Sequence, residues 1–224
     1  MNPFRPKRLA PLCLSLALVL ATLAFAQFPN PPILRTVDDH YNHLRTLRCR
    51  YTEHYAGMGL DRIESGTLTL RKPGLMRWSY DAPPGKVFVL DGHYAWFYTP
   101  GDAQVSRTPV KQLDDLRSPL RYLLGHTQLA KELDSVTVTP TGPAAAPTGY
   151  VIAGIPRGMS QRVRSVTLAV TPDGTIHSMK IEETDGAVTT FTFTDIQEDL
   201  PIPASSFAFT PPPGLPIVNA ESPI

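Results

Sequence analysis

From residue 49 onward the chain is written largely in short runs whose side-chain polarity alternates every second residue, and the first of these runs are only a few residues apart. A period of two sends successive side chains to opposite faces of a strand. Parallel neighbours need a crossover of a dozen or more residues, so gaps this short demand antiparallel pairing. CRYTEHY at 49–55 is followed by a Gly-containing turn at 57–61 and by RIESGTLTLRK at 62–72. In that second run Ile63, Leu68 and Leu70 read as one face and Glu64, Thr67, Thr69 and Arg71 as the other, with Gly66 a bulge. LMRWSY at 75–80 puts Met76, Trp78 and Tyr80 on one face. GKVFVLDGHYAWFYTP at 85–100 reads as a hairpin turning at Asp91-Gly92, with Tyr94, Trp96 and Tyr98 on a single face. Strands resume at 135–139, 149–155, 161–171, 175–184 and 187–196, with Pro172-Asp173-Gly174 and Asp185-Gly186 as turns. The stretch PTGPAAAPTG at 140–149 is short enough to be a hairpin loop inside one domain.

Two segments break this rhythm with helical spacing. Ile33, Val37, Tyr41 and Leu44 recur on one stripe while Asp38, Asp39 and Arg45 fill other positions, which predicts an amphipathic helix running to about Leu47. Ser118-Pro119 is an N-cap followed by proline at the first helical position, LRYLL follows, and Gly125 closes the turn. TQLAKEL at 127–133 adds a further turn or two. The expected architecture is mainly β (α+β): about ten antiparallel strands, one N-terminal helix and a short helical insertion, with the helices covering one face of a curved sheet. Met76, Trp78, Tyr94, Trp96, Tyr98, Phe191 and Phe193 supply bulky side chains at apolar alternating positions. If the helices plug the concavity permanently, these form an ordinary core; if the plug can move, they line a cavity. The alternation leaves both readings open.

Residues 1–26 carry a basic start (Arg5, Lys7, Arg8), an apolar run from Leu9 to Phe25 and Ala24-Phe25-Ala26. That is the pattern of a secretory signal peptide cleaved after Ala26, leaving residues 27–224 as a single exported domain. No Cys lies directly after the cleavage site, so lipid anchoring is not expected. Cys13 leaves with the signal and Cys49 remains alone, so no intramolecular disulfide supports the fold. Without the three signal-peptide cations, 18 basic residues face 20 acidic ones, a net charge of about −2 that gives no electrostatic case for nucleic acid. His40 and His43 lie three residues apart, without the i, i+4 spacing or the further ligands of a zinc site, and read as helix surface. His126 and His177 have no evident nucleophile beside them, and no G-x-S-x-G, P-loop or G-x-G-x-x-G is present. No catalytic residue, metal or cofactor is assigned.

GTLTLRKPGLMRWSYDAP (66–83), VFVLDGHYAWFYTPGDAQV (87–105), TPDGTIHSMKIEETDG (171–186) and FAFTPPPG (207–214) resemble, in order, the LolA family of periplasmic outer-membrane lipoprotein carrier proteins. The resemblance covers nearly all of the chain beyond the signal peptide. It implies an unclosed antiparallel half-barrel of ten to eleven strands with a helical lid over an apolar cavity. The cavity would be built from Leu68, Leu70, Met76, Trp78, Tyr94, Trp96, Tyr98, Phe191 and Phe193. It further implies a monomeric periplasmic carrier, not an enzyme. Such a carrier receives triacylated lipoproteins from an inner-membrane Lol-type ABC transporter and passes them to an outer-membrane lipoprotein acceptor. In that family an Arg before the turn proline is associated with latching the lid; Lys72 occupies the matching position, with Arg71 beside it. Lysine lacks the planar fork of arginine, so the latch falls to Lys72 or to Arg71. Two other readings share the fold: a lipid-sensing regulatory module of an envelope-stress pathway, and a carrier of a different lipid such as a glycolipid.

Overall fold

The computed structural model describes residues 31–110, 121–124, 128–143 and 146–220. The expected signal peptide with its cleavage after Ala26, the expected Ser118-Pro119 cap, Gly125 and His126 lie outside the described residues.

Helix α1 (Pro32–His43) opens with proline in its first turn and buries Ile33, Leu34, Val37 and Tyr41. It stops at His43, short of the expected Leu47, because competing partners draw the next residues into extended structure. The Arg45 N–H donates to Asp199 Oδ1 at 2.9 Å, and Thr46 Oγ1 donates to the Leu200 carbonyl at 2.7 Å. Strands β1 (Thr46–Gly57), β2 (Leu60–Arg71), β3 (Leu75–Ala82), β4 (Val87–Asp91), β5 (Tyr94–Tyr98) and β6 (Val105–Pro109) then form one meander. After two single-turn helices, α2 (Arg121–Leu124) and α3 (Leu129–Glu132), a second meander follows. It consists of β7 (Leu133–Thr141), β8 (Gly149–Pro156), β9 (Val163–Val170), β10 (Ile176–Glu183) and β11 (Val188–Glu198). A 3-10 turn (Ala204–Phe207) and the short β12 (Ile217–Asn219) complete the chain.

Among the described residues all twelve strands belong to one sheet, ordered β12-β6-β5-β4-β3-β2-β1-β11-β10-β9-β8-β7. The two meanders are fused by antiparallel pairing of β1 with β11, while β7 and β12 form the two edges of an open sheet. The extra strand relative to the expected ten or eleven is β12, which is also the parallel member: Ile217 to Asn219 lie beside Val105 to Arg107 of β6. Neither segment announces itself, since VSRTP and IVN are too short to display a period.

The register of β1 on β2 sets the inner face. Leu47 faces Leu70, Cys49 faces Leu68, Tyr51 faces Gly66, Glu53 faces Glu64 and Tyr55 faces Arg62. Ile63, expected beside Leu68 and Leu70, is 65% exposed on the outer face, and Glu64 is the buried neighbour. The irregularity does fall at Gly66, but the unpaired residue belongs to the facing strand: Ser65 pairs with Ala82 and Gly66 with Tyr80. Asp81 is the extra residue, so β2 keeps its phase and Ile63 points outward. Gly66 is needed there because a Cβ would collide with the Ser79 carbonyl.

Helices α1, α2 and α3 pack on this inner face, and the main core lies between them and strands of both meanders. The turn between β9 and β10 meets α1 directly: a Cβ on Gly174, at φ +92°, would stand 2.8 Å from the Thr36 carbonyl oxygen.

Candidate functional site

The inner face carries an apolar floor. Leu68, Leu70, Met76, Trp78, Phe191 and Phe193 are all buried there, joined by Tyr51. Cross-strand register aligns them, with Leu68 against Trp78, Leu70 against Met76 and Tyr51 against Phe193. Aromatic edges interlock: the Trp78 ring lies 4.5 Å from Tyr51 and 5.5 Å from Phe191, both near-perpendicular, while Phe191 and Phe193 are parallel at 6.3 Å. The Trp78 indole N–H points to Met76 Sδ at 3.0 Å. No strong acceptor is spent on it, which keeps the floor apolar.

Tyr94, Trp96 and Tyr98 share a face with one another, as alternation requires, but it is the opposite face of the sheet. Trp78 pairs with Phe88, Phe88 with Phe97, and Leu90 with Ala95, so the inward residues of β5 are Ala95 and Phe97. The Phe88 and Phe97 rings are 4.5 Å apart. Trp96 instead belongs to a second cluster with Val89 and Val105, against which Tyr94, Tyr98, Phe209 and Leu215 pack. The C-terminal segment crosses this outer face, with Phe209 lying 5.6 Å from Trp96, so aromatic residues are buried on both sides of β4 and β5. Bulk alone therefore misassigns these three. Stepwise register from Trp78 across β3, β4 and β5 is the signal that would have found Phe88, Leu90 and Phe97. Trp96 is also fixed by Asp91, whose Oδ2 accepts its indole N–H at 2.7 Å while Oδ1 accepts the His93 and Tyr94 N–H groups. Desolvation opposes ionisation of Asp91, but those donors outweigh it and hold the carboxyl below its usual range.

The helices fill the concavity. Tyr41, Tyr122, Leu123 and Leu129 are buried on the floor, and the crevice left between Tyr41, Leu123, Cys49 and Phe193 is too narrow to hold even a water molecule. Ligand pockets occupy roughly 300–1,000 Å³, so among the described residues this part of the floor is closed to an acyl chain until the helices move. Its enclosure also shows in the Cys49 thiol, which burial pushes up to about 12.

Polar fastenings hold the cover down. The Tyr41 hydroxyl accepts the Ile176 N–H at 3.0 Å in a buried setting, and burial first of all raises the phenol's pKa. Both Asp38 carboxylate oxygens accept the Leu129 N–H, at 3.0 and 3.2 Å, tying α3 to α1. His40 Nε2 lies 2.8 Å from Glu198 Oε1, so this histidine is a bridge to β11 and not bare helix surface. His43 meets the Asp39 carbonyl. Lys72 Nζ donates to the Tyr41 carbonyl at the end of α1, and burial lowers its pKa, partly countered by Asp199. Arg71 goes elsewhere, donating to the Ile202 carbonyl at 3.0 Å. The structure thus separates the two latch candidates: Lys72 fastens a helix of the cover, whereas Arg71 fastens the C-terminal segment. Between them, with Arg45 and Asp199–Pro203, lies an open cleft of about 770 Å³ outside the apolar floor.

Toward the tip of the β1–β2 hairpin the inner face turns polar. Glu64, 4% exposed, takes both carboxylate oxygens to Lys86 Nζ at 2.8 and 2.7 Å. Arg62 lies 3.9 Å from Glu53 and 3.7 Å from Glu64. Burial, then the facing Glu64, raise the pKa of Glu53. Among the described residues no group of three or more His, Cys, Asp or Glu is placed to hold a metal ion. The arrangement suits non-covalent uptake of something long, flexible and apolar.

The profile of the family described as outer membrane lipoprotein carrier protein LolA matches residues 52–210. A Nitrosospira multiformis protein named outer-membrane lipoprotein carrier protein is 27% identical over 201 residues, covering 88% of this chain and 93% of its own. A protein of the same name from Dechloromonas aromatica is 27% identical over 206 residues, covering 90% and 96%. The crystal structure of an uncharacterized conserved protein from Thermus thermophilus shares the fold with a TM-score of 0.54 at 11% identity, covering 84% of this chain and 98% of that one.

Proposed function

Because the chain belongs to the LolA family of outer membrane lipoprotein carrier proteins, we propose that it is a soluble periplasmic carrier. In this reading residues 1–26 are removed on export, and residues 27–224 take triacylated lipoproteins released by an inner-membrane ABC transporter and hand them to an outer-membrane acceptor. It acts by binding and release, with no cofactor and no chemical step. The observation that carries the reading is a continuous aromatic and aliphatic floor closed by helices that polar fastenings hold in place.

Magnitudes support it. At about 0.8 kcal/mol per buried CH₂, a chain of roughly 16 carbons carries on the order of 10 kcal/mol of transfer free energy. Three such chains do not leave a membrane unaided. The cover competes for the same floor with Ile33, Leu34, Val37 and Leu44, each 5% exposed or less. At about 1.5–3 kcal/mol per aliphatic side chain, they supply roughly 6–12 kcal/mol. One acyl chain therefore nearly balances these four side chains of the cover, and three exceed them severalfold. When cargo leaves, the cover returns to the floor, so loading and release need only affinity differences. The adaptable Met76 and the rings beside it suit tails of varied shape.

The test is to incubate the mature chain with spheroplasts displaying a labelled triacylated lipoprotein and to measure label in the soluble fraction. Release as a stoichiometric complex is expected. No release by protein with native circular dichroism would overturn the reading.

A further inference from the structure

The inner face has a chemical boundary that hydrocarbon binding alone does not require. Along β1 and β2 the facing pairs run Leu47 and Leu70, Cys49 and Leu68, Tyr51 and Gly66, then Glu53 and Glu64. The charges beyond the boundary satisfy one another: Lys86 neutralises Glu64, and Arg62 lies within 4 Å of both carboxylates. The group left over is Tyr51. It is 2% exposed, and its hydroxyl makes no hydrogen bond of proper geometry among the described residues. The Tyr80 ring meets it edge-on at 5.6 Å, and the Tyr80 oxygen is a weak acceptor for the Tyr51 hydroxyl, close enough to raise its pKa but short of proper hydrogen-bond geometry. Burial, with Tyr80, Glu53 and Glu64 nearby, raises the Tyr51 pKa, so the phenol keeps its proton and has only the poorly aligned Tyr80 oxygen to donate to.

We propose that Tyr51, at the border between the apolar floor and the Glu53–Glu64 pair, is a subsite for the ester or amide carbonyl that joins an acyl chain to the polar end of the cargo. The proposal rests on the carrier reading and adds to it the group recognised where hydrocarbon ends. A chain lying over Trp78 and Phe191 extends to Tyr51, whose ring touches Trp78. The carbonyl one bond beyond the alkyl chain then reaches the hydroxyl. A carbonyl fits because it accepts and cannot donate. A ligand carrying only donors could meet the carboxylates or the phenol oxygen, but would leave the Tyr51 O–H without an acceptor.

The test compares didecanoylglycerol, ester-linked, with didecylglycerol, its ether-linked counterpart lacking the carbonyls. Each is titrated against the wild-type mature chain and Tyr51→Phe, with the thermal midpoint of each empty protein measured in parallel. The wild type is expected to prefer the ester by roughly 2-fold to 10-fold, the range of one net hydrogen bond. Tyr51→Phe should erase that preference by weakening the ester alone, while the midpoint of the empty protein holds or rises. A structural role would lower the midpoint and weaken both ligands alike, and that result would overturn the subsite. Equal affinity of the wild type for both ligands, as expected if the hydroxyl serves only solvent, would overturn it too. Failure of folded wild type to bind either ligand would count against the carrier reading itself, and the subsite would fall with it.

Discussion

Replacing Tyr41 with Phe separates the cost of opening the cover from the packing of the cover. The ring stays, so its contacts with the floor are retained. What is lost is the acceptor for the Ile176 N–H, and both residues are 1% exposed. A buried donor left without a partner costs about 1–3 kcal/mol. For a chain of this size each kcal/mol is worth about 2–4 °C, so the thermal midpoint should fall by roughly 2–12 °C. If loading lifts α1 from the β9–β10 turn, the loaded state has already given up this bond and is not penalised. The same free energy then appears as tighter apparent lipid binding, by about 5-fold to 150-fold. Circular dichroism melting and titration with a triacyl lipopeptide measure the two effects on one sample. A lower midpoint with unchanged or weaker binding would refute the reasoning, because α1 would then stay in place in the loaded protein.

Lys72→Ala should raise apparent lipid affinity by roughly 2-fold to 10-fold through loss of its bond to the Tyr41 carbonyl. Lys72→Arg should restore it, and Arg71→Ala, which frees only the Ile202 carbonyl, should leave affinity unchanged; the three titrations together identify the latch. Glu53→Gln should stabilise the empty protein at neutral pH. Because the folded-state pKa of Glu53 is raised above 4.5, its favourable contribution is complete below that pH and is lost as pH rises through the folded value. The gain from the substitution should therefore shrink to nothing in melts below pH 4.5. Cys49, with its thiol buried and pushed up to about 12, should react slowly with a disulfide reagent at pH 8, and faster in Tyr41→Phe if the cover governs access.

The sequence states the strands well where one face is buried and the other wet. Leu68, Leu70, Met76, Trp78, Phe191 and Phe193 are assigned to a common face by alternation, and the structure brings them together. Alternation loses its meaning on β4 and β5, where Phe88 and Phe97 fill one side while Tyr94, Trp96 and Tyr98 fill the other beneath Phe209. A segment more than a hundred residues away creates that second buried face, and no local pattern encodes it. Ile63 fails for a different reason: a bulge is shared by two strands, and Gly66 does not reveal that the extra residue is Asp81 on its partner. Lys72 and Arg71 are adjacent and chemically alike in sequence, yet they leave the strand on opposite faces and reach different carbonyls. The fastenings at Asp38 and Tyr41 are similarly silent, because each joins α1 to a backbone N–H far along the chain.

The central claim is that acyl chains lie on the floor beneath the helices, and the chain's two tryptophans allow it to be tested directly. Trp78 lies on that floor and Trp96 on the opposite face. A triacyl lipopeptide with brominated acyl chains, added to Trp96→Phe and to Trp78→Phe proteins, quenches only the indole it touches. Strong quenching of Trp78 is expected in the first protein and none of Trp96 in the second. Quenching of Trp96 with Trp78 untouched would place the lipid on the other side of the sheet and rule out the floor as its binding surface.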